Sequence, residues 1–251
     1  MGSSKVTLRT SPQKLYDVST GALAPLGTRL VLNDSREFVY AKAGAVALAA
    51  GKLCQAPTTI GANHQALTPV AVSGTVAANV GDRQIQVTLG ATLASDSQYA
   101  DGWIQVQDAT EGGPIYKVIG HAAVASAGVL TAKLADPLWE SYTTTSSRWT
   151  LVSNPWNGVL VAPTTLVGPI VGVPIRDIPI ANFGWLQVKG MASILTDATA
   201  VVIGSPVVPS LTVAGAIGIS AAYVVTSLAV GRCQIVAAST AFSTINLDLS
   251  S

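Results

Sequence analysis

Short runs of alternating apolar and polar residues, each ended by turn-forming residues, fill most of the chain. Examples are RQIQVTLGATL, PIYKVIGH and GVLTAKLADPL in the middle of the sequence, and LVGPIVGVPI and STINLDLSS nearer its end. Alternation with a period of two, broken by Gly, Pro, Asn or Asp, is typical of β-strands. We therefore predict a mainly β fold of antiparallel sandwich-like or barrel-like units with short turns and little helix.

The string GWIQVQD, which begins at Gly102, returns almost unchanged as GWLQVKG, which begins at Gly184. In a β-strand the aliphatic residues of each copy lie on one face, which we expect to be the core face. These residues are Ile104 and Val106 in the first copy and Leu186 and Val188 in the second.

The opposite face of each copy combines an indole with an amide side chain. It holds Trp103 and Gln105 in the first copy and Trp185 and Gln187 in the second. An indole is unusual in line with residues that normally face water, and Trp is enriched at protein interfaces. We therefore predict that these four residues form contact surfaces for another subunit or a partner.

Turn residues predict the local pairing of some strands. The segment Thr28–Tyr40 gives two short strands around Asn33, Asp34 and Ser35, which is a hairpin signal. A second turn, EGGP, predicts that GWIQVQDAT pairs with IYKVIGH. For Ala41–Ala50 we expect a short helix or turn that leads into a strand, because Ala and Leu favour helix but glycines bracket the segment.

Charged residues are scarce. They make up 11% of the 251 residues, against about 25% in ordinary soluble domains, and the formal net charge is +1. Balanced charge offers no electrostatic footprint for nucleic acid or an anionic membrane surface, so we expect neither partner. A surface with so few charges is prone to self-association, which indicates that neighbouring subunits cover much of it.

The uncharged run Ser210–Gly231 is long enough to cross a bilayer. Its glycines, serines and threonine lower both helix propensity and hydrophobicity, and prolines interrupt the residues just before it, so we expect no transmembrane segment. Residues 1 to 25 are polar and turn-rich, and they predict an N-terminal arm without the apolar core of a secretory signal. Synthesis in a cytoplasm is the resulting expectation.

Residues suited to catalysis or metal binding are few and scattered. Neither His64 nor His121 has a Cys, Asp, Glu or second His at metal-ligand spacing, and the common nucleophile and nucleotide-binding motifs are absent. Cys54 and Cys233 fit neither a disulfide framework nor a metal motif, and we predict that both are small buried apolar residues. We predict no cofactor, no metal site and no enzymatic activity.

Tryptophan side chains leave three interpretations open, namely core or strand-end packing, contact with a subunit or partner, and stacking against a sugar. The residues concerned are Trp103, Trp139, Trp149, Trp156 and Trp185.

Two stretches resemble small β-rich structural proteins of tailed bacteriophage virions, and capsid decoration or cement proteins in particular. They are LGTRLVLNDSREFVYAKAGAVALAAGKLCQAP, Leu26–Pro57, and VGVPIRDIPIANFGWLQVKGMASILTD, Val171–Asp197. The likeness lies in a REFVYAKAG strand followed by an Ala/Gly-rich turn and, much later, an apolar strand, a turn and a Trp-Leu-Gln-Val strand. Together the stretches cover about a quarter of the chain.

The resemblance implies a β base domain made of residues 26–70 together with 155–251, and it leaves 71–154 as an inserted β domain. It also implies a homo-oligomer, commonly a trimer, that binds the major capsid protein on the outer surface of a phage capsid and bridges neighbouring subunits. The protein would then reside in the virion after synthesis in the host cytoplasm.

Two other function classes stay open at this point. A phage tail or fibre component that binds a host surface glycan would need exposed aromatic rings around a polar pocket. An enzyme would need a cluster of titratable groups, such as His64 and His121 together with two carboxylates in one cleft.

Overall fold

The computed structural model describes residues 14–57, 61, 63–107, 112–197, 201–219, 229–238 and 240–249. Within these ranges every regular element is a strand, which confirms the mainly β prediction. The first nine strands are β1 (Arg29–Val31), β2 (Glu37–Ala43), β3 (Cys54–Gln55), β4 (Thr68–Pro69), β5 (Val76–Ala78), β6 (Gln84–Thr88), β7 (Trp103–Val106), β8 (Ile115–Gly120) and β9 (Val129–Leu134). The remaining strands are β10 (Tyr142–Thr143), β11 (Trp149–Val152), β12 (Asn157–Val161), β13 (Ile170–Pro174), β14 (Phe183–Leu195), β15 (Pro206–Pro209), β16 (Ile217–Ile219), β17 (Gly231–Ile235) and β18 (Phe242–Asp248).

The chain divides into two compact units. One, here called the base unit, comprises Met1–Pro57 and Pro155–Ser251. The other, here called the barrel unit, is the continuous segment Thr58–Asn154. Most of the predicted N-terminal arm, residues 1–13, lies outside the described residues.

The barrel unit contains a six-stranded antiparallel sheet in the order β11-β7-β8-β9-β6-β4 and a separate two-stranded sheet of β5 and β10. The two edges of the six-stranded sheet meet, because Leu67, the residue before β4, pairs with Trp149 at the start of β11. The Leu67 amide donates to the Trp149 carbonyl at 2.7 Å, and the Trp149 amide donates back at 3.0 Å. This reciprocal pair turns an open sheet into a closed barrel and leaves no free edge at that seam.

Alternation along each strand fills the barrel. Ile104 and Val106 on β7 are buried, as the sequence predicted, and β8 buries Tyr116 and Val118 by the same rule. The core of this unit is a single cluster of apolar residues, all of which lie between Leu67 and Leu151. The described residues of this apolar cluster therefore all belong to the barrel unit.

The base unit is a ten-stranded sheet in the order β1-β2-β12-β3-β13-β14-β18-β17-β15-β16, with a further pairing between β2 and β14. That further pairing closes β2, β12, β3, β13 and β14 into a ring, in which the β12–β2 pair is parallel. Cys54 lies in the core of this ring, and Cys233 lies in a second apolar core between β14 and the C-terminal strands. Both cysteines are buried, which confirms that prediction.

Strand β14 is the longest strand of the base unit and pairs with two strands in turn. From Phe183 to Lys189 it pairs with β2, and from Lys189 to Leu195 it pairs with β18. The register shifts between Gln187 and Lys189, and Gly190 next to the shift has a φ of +86°. The second copy of the repeated string therefore ends in a bulge, at which one strand passes from one partner to the next.

The hairpin predicted for Thr28–Tyr40 is confirmed, with Leu30 opposite Phe38 and a left-handed residue at Ser35. The pairing of GWIQV with IYKVIG is confirmed as β7 against β8. For Ala41–Ala50 the turn is confirmed and not the helix, because β2 continues to Ala43, turn residues follow, and β3 begins at Cys54. There the strand partners of β2 outweigh the helix propensity of alanine.

Residues before position 71 take part in closing the barrel, and this generates a first prediction. We expect a fragment of residues 58–154 to unfold cooperatively on heating, because it contains the whole apolar cluster and both halves of the Leu67–Trp149 seam. A fragment of residues 71–154 lacks the seam and β4, so we expect it to melt at a lower temperature or to be unfolded. Circular dichroism melting of the two fragments measures this, and equal melting temperatures would contradict it.

A second prediction concerns the bulge. A Cβ added at Gly190 would lie 2.9 Å from Arg36 Cγ and 3.1 Å from Arg36 Cα, whereas at Gly204, with a φ of +81°, it would meet nothing within 4 Å. Both substitutions carry a similar backbone penalty, so Gly204→Ala is a matched control. We expect Gly190→Ala to lower the unfolding free energy by about 1–3 kcal/mol more than the control in urea denaturation. Equal losses would refute this role of Gly190.

Candidate functional site

Two of the four predicted contact residues lie inside the base unit. Trp185 and Gln187 are each 2% exposed. The Trp185 ring packs edge-on against Tyr40, with ring centroids 5.1 Å apart, in a small apolar cluster with Phe183. On this strand both faces are buried, so these two side chains offer no surface to a partner.

The side-chain amide of Gln187 donates hydrogen bonds to backbone carbonyls at the bulge. Its Nε2 donates to the carbonyl of Lys189 at 3.0 Å and to the carbonyl of Met191 at 2.9 Å. A strand that changes partner leaves carbonyls out of the regular ladder, and buried carbonyls need donors. The glutamine in the second copy of the string is therefore a buried structural donor.

Trp103 and Gln105 lie on the outer face of the barrel and are partly buried. In the strand register Trp103 lies opposite Lys117 and Val152, and Gln105 lies opposite Ile115. Ile115 is exposed, as is Ile119 two pleats further along β8. The contact role of Trp103 and Gln105 stays a prediction. The structure adds that the exposed, apolar Ile115 lies opposite Gln105.

The most exposed aromatic side chain of the barrel unit is Trp139, which is 65% exposed. Its loop is firmly held, because the Gly81 amide donates to the Leu138 carbonyl at 2.7 Å and the Val80 amide donates to Ser141 Oγ at 3.1 Å. Val80, which is also exposed, thus lies in the neighbouring turn. An exposed indole on a loop with a hydrogen-bonded backbone is suited to anchoring a partner.

The base unit carries a comparable apolar patch. Val202 and Ile203 are exposed in the turn before β15, and the following Gly204 donates to the Cys233 carbonyl at 2.8 Å. This bond places the turn beside the end of β17, where Ile235 is exposed as well. We refer to Val202, Ile203 and Ile235 as the base patch.

A base-unit pocket of about 430 Å³ lies beside the bulge. Its lining includes Arg36, Gln187, Met191 and Phe242. Arg36 is engaged by Asp34 at 2.7 Å, and this carboxylate raises the pKa of the guanidinium. Because the one cation of the lining already has a counter-ion, the pocket shows no obvious polar specificity.

Sequence analysis did not anticipate that the two histidines meet at one tyrosine in the barrel unit. His64 is 1% exposed, His121 is 5% exposed, and Tyr99 lies between them at ring-centroid distances of 5.6 and 5.7 Å. His64 Nδ1 is hydrogen-bonded to Tyr99 Oη, and His121 Nε2 accepts the Tyr99 backbone amide at 3.1 Å. Burial raises the pKa of the Tyr99 hydroxyl to about 12.

No hydrogen bond within the described ranges joins a carboxylate to either imidazole. In the same part of the chain no group of three or more His, Cys, Asp or Glu is placed to hold a metal ion. None of the described elements is a helix long and apolar enough to cross a membrane.

Comparison with models of known protein families, with curated proteins and with solved structures yields no significant match.

Gln105 and Gln187, which occupy the same position in the two copies of the repeated string, generate a third prediction. Gln187→Glu would place a carboxylate against two carbonyl oxygens in a buried site, so we expect it to lower the unfolding free energy by about 3 kcal/mol or more. Gln105→Glu, the same change on the outer face of the barrel, should cost about 0.5 kcal/mol or less. Urea denaturation measures both variants. Similar losses would mean that the amide of Gln187 does not stabilise the bulge.

Proposed function

We propose that this chain is a non-enzymatic structural protein of a phage virion, which binds the outer surface of the capsid and bridges neighbouring major capsid subunits. The observation that carries the proposal is the apolar character of the exposed surface. Twenty bulky apolar side chains of the described residues are exposed, including Trp139, Ile203 and Ile235, while charged residues are only 11% of the chain. Such a surface is suited to being covered by neighbours.

The distribution of these side chains supports bridging. Trp139 and Val80 lie in the barrel unit and the base patch lies in the base unit, so each unit has its own candidate contact surface. Two surfaces on one chain allow two weak contacts to act together, because the first raises the effective concentration of the second. A homo-oligomer, as in the trimers of decoration proteins, would multiply this effect further.

The alternative proposal is a tail or fibre component that binds a host surface glycan. Trp139 is the observation that favours it, since an exposed indole beside Glu140 combines a stacking face with a hydrogen-bonding carboxylate. The capsid proposal explains the base patch as well, and the glycan proposal does not.

The fourth prediction tests the capsid proposal. Purified protein should sediment with expanded empty capsids of the virus that encodes it, and Ile203→Ser combined with Ile235→Ser should weaken this binding about tenfold or more. Gln84→Ser, an exposed polar position, is the control and should bind like wild type. Analytical ultracentrifugation of the free protein should show self-association.

The proposal is refuted if the wild-type protein stays in the supernatant with those capsids. Retention on a glycan array, abolished by Trp139→Ser, would then establish the alternative.

A further inference from the structure

We propose that His121 is an acid-sensitive latch, which fastens the backbone of the loop of residues 95–101 at neutral pH and loosens it when protonated, while the Tyr99 hydroxyl stays bonded to His64. The inference goes beyond the proposed function and does not depend on it. It rests on the hydrogen bonds around a single imidazole ring.

The partners of His121 require a neutral ring. Nδ1 lies 2.8 Å from the carbonyl oxygen of Ala122, which can only accept, so Nδ1 carries the hydrogen. Nε2 lies 3.1 Å from the backbone nitrogen of Tyr99, which can only donate, so Nε2 presents its lone pair. In a charged imidazole Nε2 would also carry a hydrogen, and this N–H group would face the backbone N–H group of Tyr99.

His64 responds differently to a proton. Its Nε2 donates to the Thr92 carbonyl at 3.0 Å, while Nδ1 faces the Tyr99 hydroxyl. A hydroxyl can donate or accept, so it can turn to receive a hydrogen from a protonated Nδ1. The bond between His64 and Tyr99 therefore survives protonation, whereas the bond between His121 and the Tyr99 amide does not.

No carboxylate of the described residues is hydrogen-bonded to either imidazole ring. The segments around the cluster are residues 61–67, 92–101, 120–128 and 149–154, and their only charged residues are Asp96 and Asp101, both in the loop of Tyr99. The Asp96 side chain accepts a hydrogen bond from Ser97 Oγ, and none of the described hydrogen bonds links Asp96 or Asp101 to a histidine ring. Lys117 on the neighbouring strand β8 is exposed on the outer face.

The loop of residues 95–101 contains strained backbone conformations, which favour its opening. Ser97 and Asp101 have φ values of 54° and 59°, which side chains other than glycine adopt at a cost. His121 holds this loop twice, through Nε2 on the Tyr99 amide and through its own carbonyl, which accepts the Ser97 amide at 3.1 Å. Loss of the first bond leaves the strained loop with a single bond to His121.

The direction of the pH effect follows from linkage. The open loop binds one more proton than the closed loop, so the closed state loses stability as pH falls. Protonation of the ring and loosening of the loop therefore favour each other, and both increase as pH falls. An unsatisfied buried donor costs about 1–3 kcal/mol, which corresponds to an increase in loop opening of about five- to 150-fold.

The fifth prediction uses amide hydrogen exchange of the full chain, read by NMR and corrected for intrinsic exchange rates. Between pH 7 and pH 5 the protection of the Tyr99 amide should fall about fivefold or more, while the Leu67 amide at the barrel seam should keep its protection. In His121→Gln the side-chain oxygen accepts the amide and takes up no proton, so the pH effect should disappear. His64→Gln is the matched control and should retain it.

The proposal is overturned if Tyr99 keeps its protection at pH 5, or if His121→Gln shows the same loss as wild type. A measurement on the wild type alone covers the case in which a variant does not fold. The nitrogen chemical shifts of His121 at pH 7 should show the neutral ring with hydrogen on Nδ1. A ring with hydrogen on Nε2, or a charged ring, would equally overturn the latch.

Discussion

Closure of the strands into rings by backbone hydrogen bonds is the constraint on which the rest of this structure depends. Several strands have only two or three residues, such as β3, β4 and β16, and strands of this length are not stable in isolation. In the barrel unit the pair between Leu67 and Trp149 joins the two sheet edges. In the base unit the pairing of β2 with β14 closes five of the ten strands into a ring, and β1 and β16 remain the two ends of the sheet. An open edge beside so much apolar surface would invite unspecific strand pairing.

Closure also connects the fold to the proposed role. Once a ring is closed, alternation sends every second side chain outward, and here many of the outward side chains are apolar. With its interior filled and its seam paired, the barrel unit can present exposed apolar side chains such as Ile115 and Ile119 without an open strand edge at the seam. The latch at His121 adds a way to alter one end of the barrel unit without opening the ring.

Local pattern predicted the strands well, because alternation and turn residues act over a few neighbouring positions. Ile104, Val106, Leu186 and Val188 all lie in cores, as expected. The burial of Trp185 and Gln187 was not predictable, since nothing in the string itself shows that β14 is covered on both faces. The meeting of His64 with Tyr99 was equally hidden, because these residues are far apart along the chain, whereas Tyr99 and His121 flank the hairpin of β7 and β8.

Native-state hydrogen exchange at the barrel seam tests the role of closure most directly. If closure holds the barrel unit together, the amides of Leu67 and Trp149 exchange only through global unfolding, and their exchange free energy equals the unfolding free energy of the unit. If both amides exchange through local opening, at a free energy well below that of unfolding, the seam is not the interaction that stabilises the unit, and the account is contradicted.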